Sequence, residues 1–500
     1  LHSNELIPLE VTLRNAMKSK PDLIRKRPMG YIMEASQFEL AEKLKGFKQR
    51  THELPKVANE FSLDTIVFKN ISKENLAYVM ERTNIKPNTK YTTRDIAEGV
   101  DRAMGTNLFS RITTSSFVED GKIGLELTFY ENAPTQINAS LHYDTYRGVG
   151  VLFNYTGRNV IGESSRLLVT ADIAEQPRFR AEYQKIFGEK KDWWWNTEFY
   201  GEKLIQELYN DNDLIADLRF QSYQFNNQVN KNLNSFRSYF GLDLNYQYTH
   251  FKPKSDTDLA DYPFNSYYYN TIEIGGHYSY NDLNSVFFAK KGAKFEAKLS
   301  RSLINQLDVN YTGGLVENIS GETNGYTKMS LNYEKRIPLK KKITGIVGAT
   351  TNFIFEDKLQ SDQFSFAEYG YGAKYFIGGT AIGPTTNRTV FQGLNEDELV
   401  VTQFMKINLA LQYNVTGKIY LTPHVDFASV GFGDFDDYFE DAFAPKGKWQ
   451  DRTEASFLMS AGANLSYLSI LGPITFDVSW LNDMDKINLY FGIGFMFNPS

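Results

Sequence analysis

Cysteine is absent from all 500 residues, which removes disulfides, thiolate metal sites and thiol nucleophiles at once. Long apolar runs are missing too. Nowhere do eighteen apolar residues follow one another, the length a helix needs to cross a hydrocarbon core, so any membrane crossing must be made by strands. Strands hide lipid-facing residues at every second position, and a mean hydropathy of −0.41 is compatible with that. Charge of one sign is also scarce: a net −6 argues against a nucleic-acid partner. Six histidines, His2, His52, His142, His250, His277 and His424, lie scattered without ligand spacing, so neither a metal nor another cofactor is expected. The acidic run from Asp434 to Asp441 fits a solvated surface, with calcium as the alternative. Before Leu1 there is no basic and apolar leader, so the chain reads as a mature or truncated product with room for an upstream segment.

What is abundant is aromatic. Tyr, Phe and Trp make up 15% of the chain, more than an ordinary soluble enzyme carries. They fall into a period-two pattern over most of its length. At the carboxyl end Ile487, Leu489, Phe491, Ile493, Phe495 and Phe497 alternate with Asn488, Tyr490, Gly492, Gly494 and Met496. Just before it, Ile474, Phe476, Val478 and Trp480 oppose Thr475, Asp477 and Ser479. Comparable runs occupy about 134–146, 148–157, 164–175, 177–187, 192–203, 212–225, 236–249, 268–281, 292–303, 324–336, 341–355, 404–415, 418–429, 455–469, 472–482 and 486–497. A single run of this kind also suits a soluble sandwich. Sixteen or so, with no later helical layer to cover their apolar faces, call for a closed barrel in lipid, which covers every face and leaves no edge.

The expected fold is therefore an all-β transmembrane barrel of about sixteen antiparallel strands over residues 134–500, preceded by a small α+β domain over 61–133 and a charged, helix-leaning tail over 1–60. Turns are short at Arg336 to Lys341, Thr416 to Gly417 and Leu471 to Pro473, and long at 356–403 and 430–454. That is the alternation of short periplasmic turns and long outer loops, and an even strand count puts both barrel termini in the periplasm of a bacterial outer membrane. The expected partner is the lipid bilayer with its lipopolysaccharide, while periplasmic or outer-membrane proteins and a homodimer stay open. Trp193, Trp194, Trp195, Tyr267, Tyr268, Tyr269 and Trp480 suit an interfacial aromatic girdle, with a carbohydrate-stacking platform as the alternative for the triplets. Phe491, Phe495 and Phe497 form a carboxyl-terminal strand signal.

In the small domain, a strand at Leu63 to Phe68 precedes a helix opening at Ser72 with a stripe of Leu76, Val79, Met80 and Thr83. After the turn Lys86-Pro87-Asn88 a second helix spans Thr93 to Met104 with Ile96, Val100, Ala103 and Met104 on one face. Strands at Arg111 to Val118 and Lys122 to Tyr130 follow around Glu119-Asp120-Gly121, with Leu125, Leu127 and Phe129 alternating. This order, with Tyr91-Thr92-Thr93-Arg94-Asp95 and Leu108-Phe109-Ser110-Arg111-Ile112, resembles a POTRA (polypeptide-transport-associated) domain over about seventy residues; another small α+β module is the alternative. A POTRA before sixteen strands is the layout of the outer-membrane assembly and translocation superfamily.

That resemblance implies a long loop between the eleventh and twelfth strands, folded back into the barrel and carrying Val-Arg-Gly-Phe/Tyr. Here the corresponding residues are Val390-Phe391-Gln392-Gly393-Leu394: Gln392 stands at the arginine position and Leu394 at the aromatic one. The family arginine meets an inward acidic residue of the thirteenth strand, where Asp426 lies by parity. A glutamine can donate a hydrogen bond there but has neither charge nor a fork.

Lys20-Pro21-Asp22-Leu23-Ile24-Arg25, followed by a helix from Ser36 to Leu44 with Ser36 and Glu39 in capping-box spacing, is similar to the closing segment of patatin-like phospholipase domains. That family's Gly-x-Ser-x-Gly elbow and Asp-Gly-Gly/Ala partner are not found. Gly162-Glu163-Ser164-Ser165-Arg166 lacks the second glycine and Asp120-Gly121-Lys122 is a hairpin turn. No catalytic residue is assigned, and hydrolase activity would reside upstream of Leu1. The leading functional expectation is the anchor of a patatin-like lipid acyl hydrolase; a protein assembly or secretion barrel is the alternative, and a porin the third.

Overall fold

The computed structural model describes residues 60–494, apart from 105–107, 120, 190, 211–212, 234–236, 255–263, 286, 312–316, 380–386, 446, 448–453, 470–471 and 483–485. The patatin-like segment at 20–44, Phe495 and Phe497 lie outside the described residues.

The small domain runs β1 (Phe61–Leu63), β2 (Thr65–Lys69), α1 (Lys73–Thr83), β3 (Thr89–Tyr91), α2 (Thr93–Met104), β4 (Phe109–Glu119) and β5 (Lys122–Glu131). β1 pairs with β3, and a second sheet has the order β2-β5-β4, with β2 parallel to β5 and β4 antiparallel to it. Period two along β5 sends Leu125, Leu127 and Phe129 inward. Ser72 begins α1 as expected, yet its hydroxyl does not cap its own helix: both Oγ and the backbone N–H donate to Glu131 at 2.9 Å, tying the helix start to the end of β5. The buried face of α1 is turned from the expected stripe. Tyr78 and Val79 are buried while Met80 is exposed, because Tyr78 supplies the larger ring to bury.

Sixteen antiparallel strands close the barrel: β6 (Thr135–Asp144), β7 (Gly148–Arg158), β8 (Ser165–Ala174), β9 (Arg178–Phe187), β10 (Trp193–Asn210), β11 (Asp213–Asn232), β12 (Ser238–Pro253), β13 (Phe264–Asn281), β14 (Gly292–Tyr311), β16 (Tyr326–Lys340), β17 (Ile343–Glu356), β21 (Gln403–Asn414), β22 (Ile419–Gly431), β23 (Ser456–Ser469), β24 (Gly472–Leu481) and β25 (Lys486–Ile493). A short β15 (Ile319–Glu322) adds to the end of β14. Outward positions such as Ile137, Leu141, Val149 and Phe153 are exposed and apolar, whereas the inward His142, Asp172, Arg178 and Glu202 are buried and polar. This is the inverse of a soluble core and the expected dyad of a lipid-facing barrel. No described helix is long and apolar enough to cross a membrane.

β10 to β14 run 16 to 20 residues, past the expected ends near Lys203, Phe225 and Leu303. In β11, Asn226, Asn227, Gln228, Asn230 and Asn232 lie past the expected end of the run at 225, but the ladder to β10 and β12 continues through them because backbone pairing does not require apolar side chains.

The walls differ at closure. β24 pairs with β25 from Ile474 opposite Ile493 to Leu481 opposite Lys486. Between β25 and β6 the described register is Gly492 opposite Asp144 and Ile493 opposite Tyr143. Thr145 adds bonds to Phe491: its N–H donates to the Phe491 carbonyl at 3.0 Å and its hydroxyl accepts the Phe491 N–H at 2.8 Å. There the chain turns into β7, so Lys486 to Leu489 of β25 have no strand beside them on that side among the described residues.

Candidate functional site: an inward loop beside the closing seam

The segment between β17 and β21 folds into the barrel at the end opposite the small domain. It carries α3 (Phe366–Tyr369), a single 3-10 turn (Tyr371–Ala373), β18 (Tyr375–Gly378), β19 (Arg388–Val390) and β20 (Leu399–Val401). β18 lies at the centre, parallel to β19 and antiparallel to β20. Its apolar side chains meet apolar lumen-facing ones of the tall strands. Phe376 packs edge-on to Phe220, Tyr371 on Phe251, and Phe366 on Tyr326 with ring centres 4.5 Å apart. Phe391 and Leu394 are fully buried in this core.

This core corrects the girdle reading. Tyr267 and Tyr269 turn inward under the loop, with the Tyr269 hydroxyl 3.0 Å from Thr323 Oγ1, while Tyr268 faces the other way and stacks on His250. Consecutive residues of a strand point to opposite faces, so three adjacent tyrosines cannot all meet lipid. Trp194 likewise turns inward onto Tyr239, unlike its exposed neighbour Trp195, and Trp193 stacks on Phe187. Trp480 stands opposite Ile487, and Phe491 opposite Phe476.

Charged and polar anchors hold the loop. Arg388 donates Nη1 to Glu202 at 3.0 Å and Nε to Asp397 at 2.8 Å. Arg147, in the β6–β7 turn, grips both carboxylate oxygens of Glu396, and the Tyr146 hydroxyl donates to the Leu394 carbonyl. From β25, Asn488 Nδ2 donates to the Gly393 carbonyl at 3.3 Å. The loop tip thus sits directly behind the seam between β25 and β6. Gly393 has φ +95°, and a Cβ there would stand 3.2 Å from Ser460 Oγ.

Gln392 does not take the arginine's role expected of its position. Its buried Oε1 accepts no hydrogen bond among the described residues. Asp426 instead accepts from Asn408 Nδ2 at 2.9 Å, with Lys406 Nζ at 3.8 Å and His424 Nδ1 at 3.5 Å. Lys406 also donates to the Val390 carbonyl at 2.6 Å, so the cation that links the loop to Asp426 comes from β21. A signal was present in the sequence: Lys406 faces inward one diagonal step from Asp426 in the β21–β22 ladder.

At the mouth beside the small domain, the described residues between β13 and β14, 282–285 and 287–291, also turn inward. Phe288, at φ +50°, stacks on Tyr420 with centres 4.1 Å apart, and Gln412 Nε2 donates to the Phe288 carbonyl at 3.3 Å. Between this turn and the loop a cavity of about 380 Å3 remains, reached by Arg336, Gln392, Gln412 and His424.

Ser479 Oγ lies 3.5 Å from His424 Nε2 and His424 Nδ1 lies 3.5 Å from Asp426, the order of a hydrolytic triad. Ser479 Oγ donates to Asp477 instead, and Asp477 stands 3.2 Å from the same His424 Nε2, nearer to that nitrogen than the serine is. Asp434 to Asp441 enclose a short helix, α4 (Phe435–Asp441), that buries Tyr438 while Asp436, Asp437 and Glu440 face solvent. Among the described residues no cluster suited to a metal is found.

An Omp85 superfamily domain matches residues 90–497. The chain belongs to the Omp85 superfamily. Among solved structures it is similar to BamA from Haemophilus ducreyi lacking POTRA domains 1–3, at 14% identity and TM-score 0.57, covering 87% of this chain and 84% of that one. It is also similar to CdiB from Acinetobacter baumannii (10%, TM-score 0.50, 87% and 73% covered) and to CdiB from Escherichia coli (13%, TM-score 0.50, 86% and 76% covered). At these identities the likeness is one of fold. No curated protein matches the chain. As an Omp85 protein it is an outer-membrane barrel, and its inward segment occupies the place expected from the superfamily's loop between the eleventh and twelfth strands.

Proposed function

We propose that this Omp85 barrel assembles or secretes other proteins at the outer membrane, offering the edge of β25 to an incoming strand. The observation that carries the reading is that edge: Lys486 to Leu489 stand beyond the β6–β7 turn with no strand pairing on that side among the described residues. Unpaired N–H and C=O groups there form a template for strand addition. The small domain is read as a POTRA domain in the periplasm, where it would meet clients first. An inward segment whose apolar core fills the lumen beneath the tall strands argues against a porin.

Depleting the protein and measuring other outer-membrane barrels and secreted proteins tests this; their loss is expected, and unchanged levels contradict it. A sharper form joins the register partners Tyr143 and Ile493 through Tyr143→Cys and Ile493→Cys in a chain that has no other cysteine. Activity should fall on oxidation and return on reduction. The finer reading, an anchor for a patatin-like lipid acyl hydrolase, rests on residues 20–44 and draws no support from the comparisons. The sequence encoded upstream of Leu1 decides it, since a serine-hydrolase elbow is required there.

A further inference from the structure

Where α1 meets the ends of β7, β8 and β10, a cavity of about 220 Å3 is lined by Arg82, Arg158 and Arg166, with no carboxylate among its lining residues. Trp194 and Tyr239, packed edge-on 5.3 Å apart, form part of its wall. Arg158 and Arg166 stand directly opposite each other in the β7–β8 ladder, an arrangement that like charges disfavour. Their guanidiniums are also under-used. Arg166 gives one arm to Glu182, but its Nε is buried without an acceptor. Half-buried Arg158 makes no side-chain hydrogen bond or ion pair among the described residues. Arg82 differs, since its Nε donates to the Tyr78 hydroxyl at 3.3 Å.

Two facing guanidiniums with spare donors, of which only Arg166 has a carboxylate partner among the described residues, destabilise the empty protein and suit an oxyanion able to accept from both forks. We propose that this cavity binds a phosphate group, either free phosphate or the phosphate of a lipid headgroup. A phosphate carries up to two charges and enough acceptors for both arginines, whereas a carboxylate carries one charge. The volume is below the usual 300–1,000 Å3 or so of sites for larger ligands, so it fits a phosphate with a small substituent. The site goes beyond the assembly role and does not depend on it.

The test uses the whole chain in nanodiscs of neutral phosphatidylcholine, titrated with inorganic phosphate and with glycerol 3-phosphate by calorimetry, and a second set of discs containing phosphatidylglycerol. Binding in neutral discs identifies free phosphate as the source; a rise in melting temperature only in the phosphatidylglycerol discs identifies the headgroup. Either supports the site. Arg158→Gln should weaken binding about tenfold or more, the effect of losing a charge-assisted fork, and Arg158→Lys should recover part of it. Because Arg158 has no protein partner to strand, Arg158→Gln should also melt higher than the parent without ligand and gain nothing from phosphate. Arg166→Gln is the companion variant, and heat-modifiable gel mobility checks that each barrel is folded. No binding in either set of discs, equal binding by Arg158→Gln, or glutarate binding as tightly as phosphate would overturn the proposal.

Discussion

The wall from β10 to β14 and the wall at β24, β25 and β6 are built from the same alternating pattern, yet they are held very differently. β10 and β11 pair from Trp193 opposite Lys231 to Asn210 opposite Asp213, and the lumen side of these tall strands is covered by the apolar core of the inward segment. β25 is eight residues long, joins β6 through the two pairs at Gly492 and Ile493 among the described residues, and is backed by polar contacts such as Asn488 to Gly393. The shortest described ladder of the wall is the place where local opening costs least. The difference separates a scaffold from a moving part within one sheet.

The contrast breaks most severely if the scaffold loses its buried ion pair. Lys328 Nζ lies 2.8 Å from Glu273, which also accepts from the Tyr326 and Ser300 hydroxyls beneath the inward core. Lys328→Ala leaves that carboxylate uncompensated and should lower stability by about 3–5 kcal/mol, read in denaturant unfolding. Next comes the loop tip. Gly393→Ala forces a side chain into φ +95°, at a cost of about 1–3 kcal/mol, and should make the loop sensitive to protease while the β10–β11 ladder stays intact. Lys406→Met, which removes the bond to the Val390 carbonyl, should loosen the same tip by roughly 1–3 kcal/mol. Adding Gln392→Arg to that variant should restore protease resistance if position 392 can supply the missing cation; no rescue would mean that Lys406 is not its substitute. The smallest change is expected from Phe288→Ala, which forfeits the stack on Tyr420, about 0.5–1.5 kcal/mol, and opens the mouth beside the small domain, measurable as a modest rise in conductance.

Much of this architecture is written in period two. The sixteen strands and their order are readable because an apolar residue at every second position is needed wherever lipid wets the wall, and both helices of the small domain are readable from apolar residues three or four apart. Some of the readings that missed depend on what fills the lumen: Tyr267 and Tyr269 look like girdle residues until the inward core gives their face an apolar neighbour. The asparagine-rich end of β11 missed for another reason, because its backbone ladder continues where the apolar alternation stops. The cation beside Asp426 was sought in the loop, at Gln392, because sequence order suggests which segment meets which strand but not which neighbouring strand adds a diagonal partner. The inward turn between β13 and β14 carries no periodic signal, and only the contacts of Phe288 and Gln412 reveal it.

Backbone amide exchange, resolved along the folded protein in detergent, bears most directly on the claim that β25 is the opening strand. Amides of Lys486 to Leu489 that point toward the β6 side should exchange at least about tenfold faster than those at the middle of β10 and β11. Equal protection in the two walls would mean that the seam is as closed as the rest of the barrel.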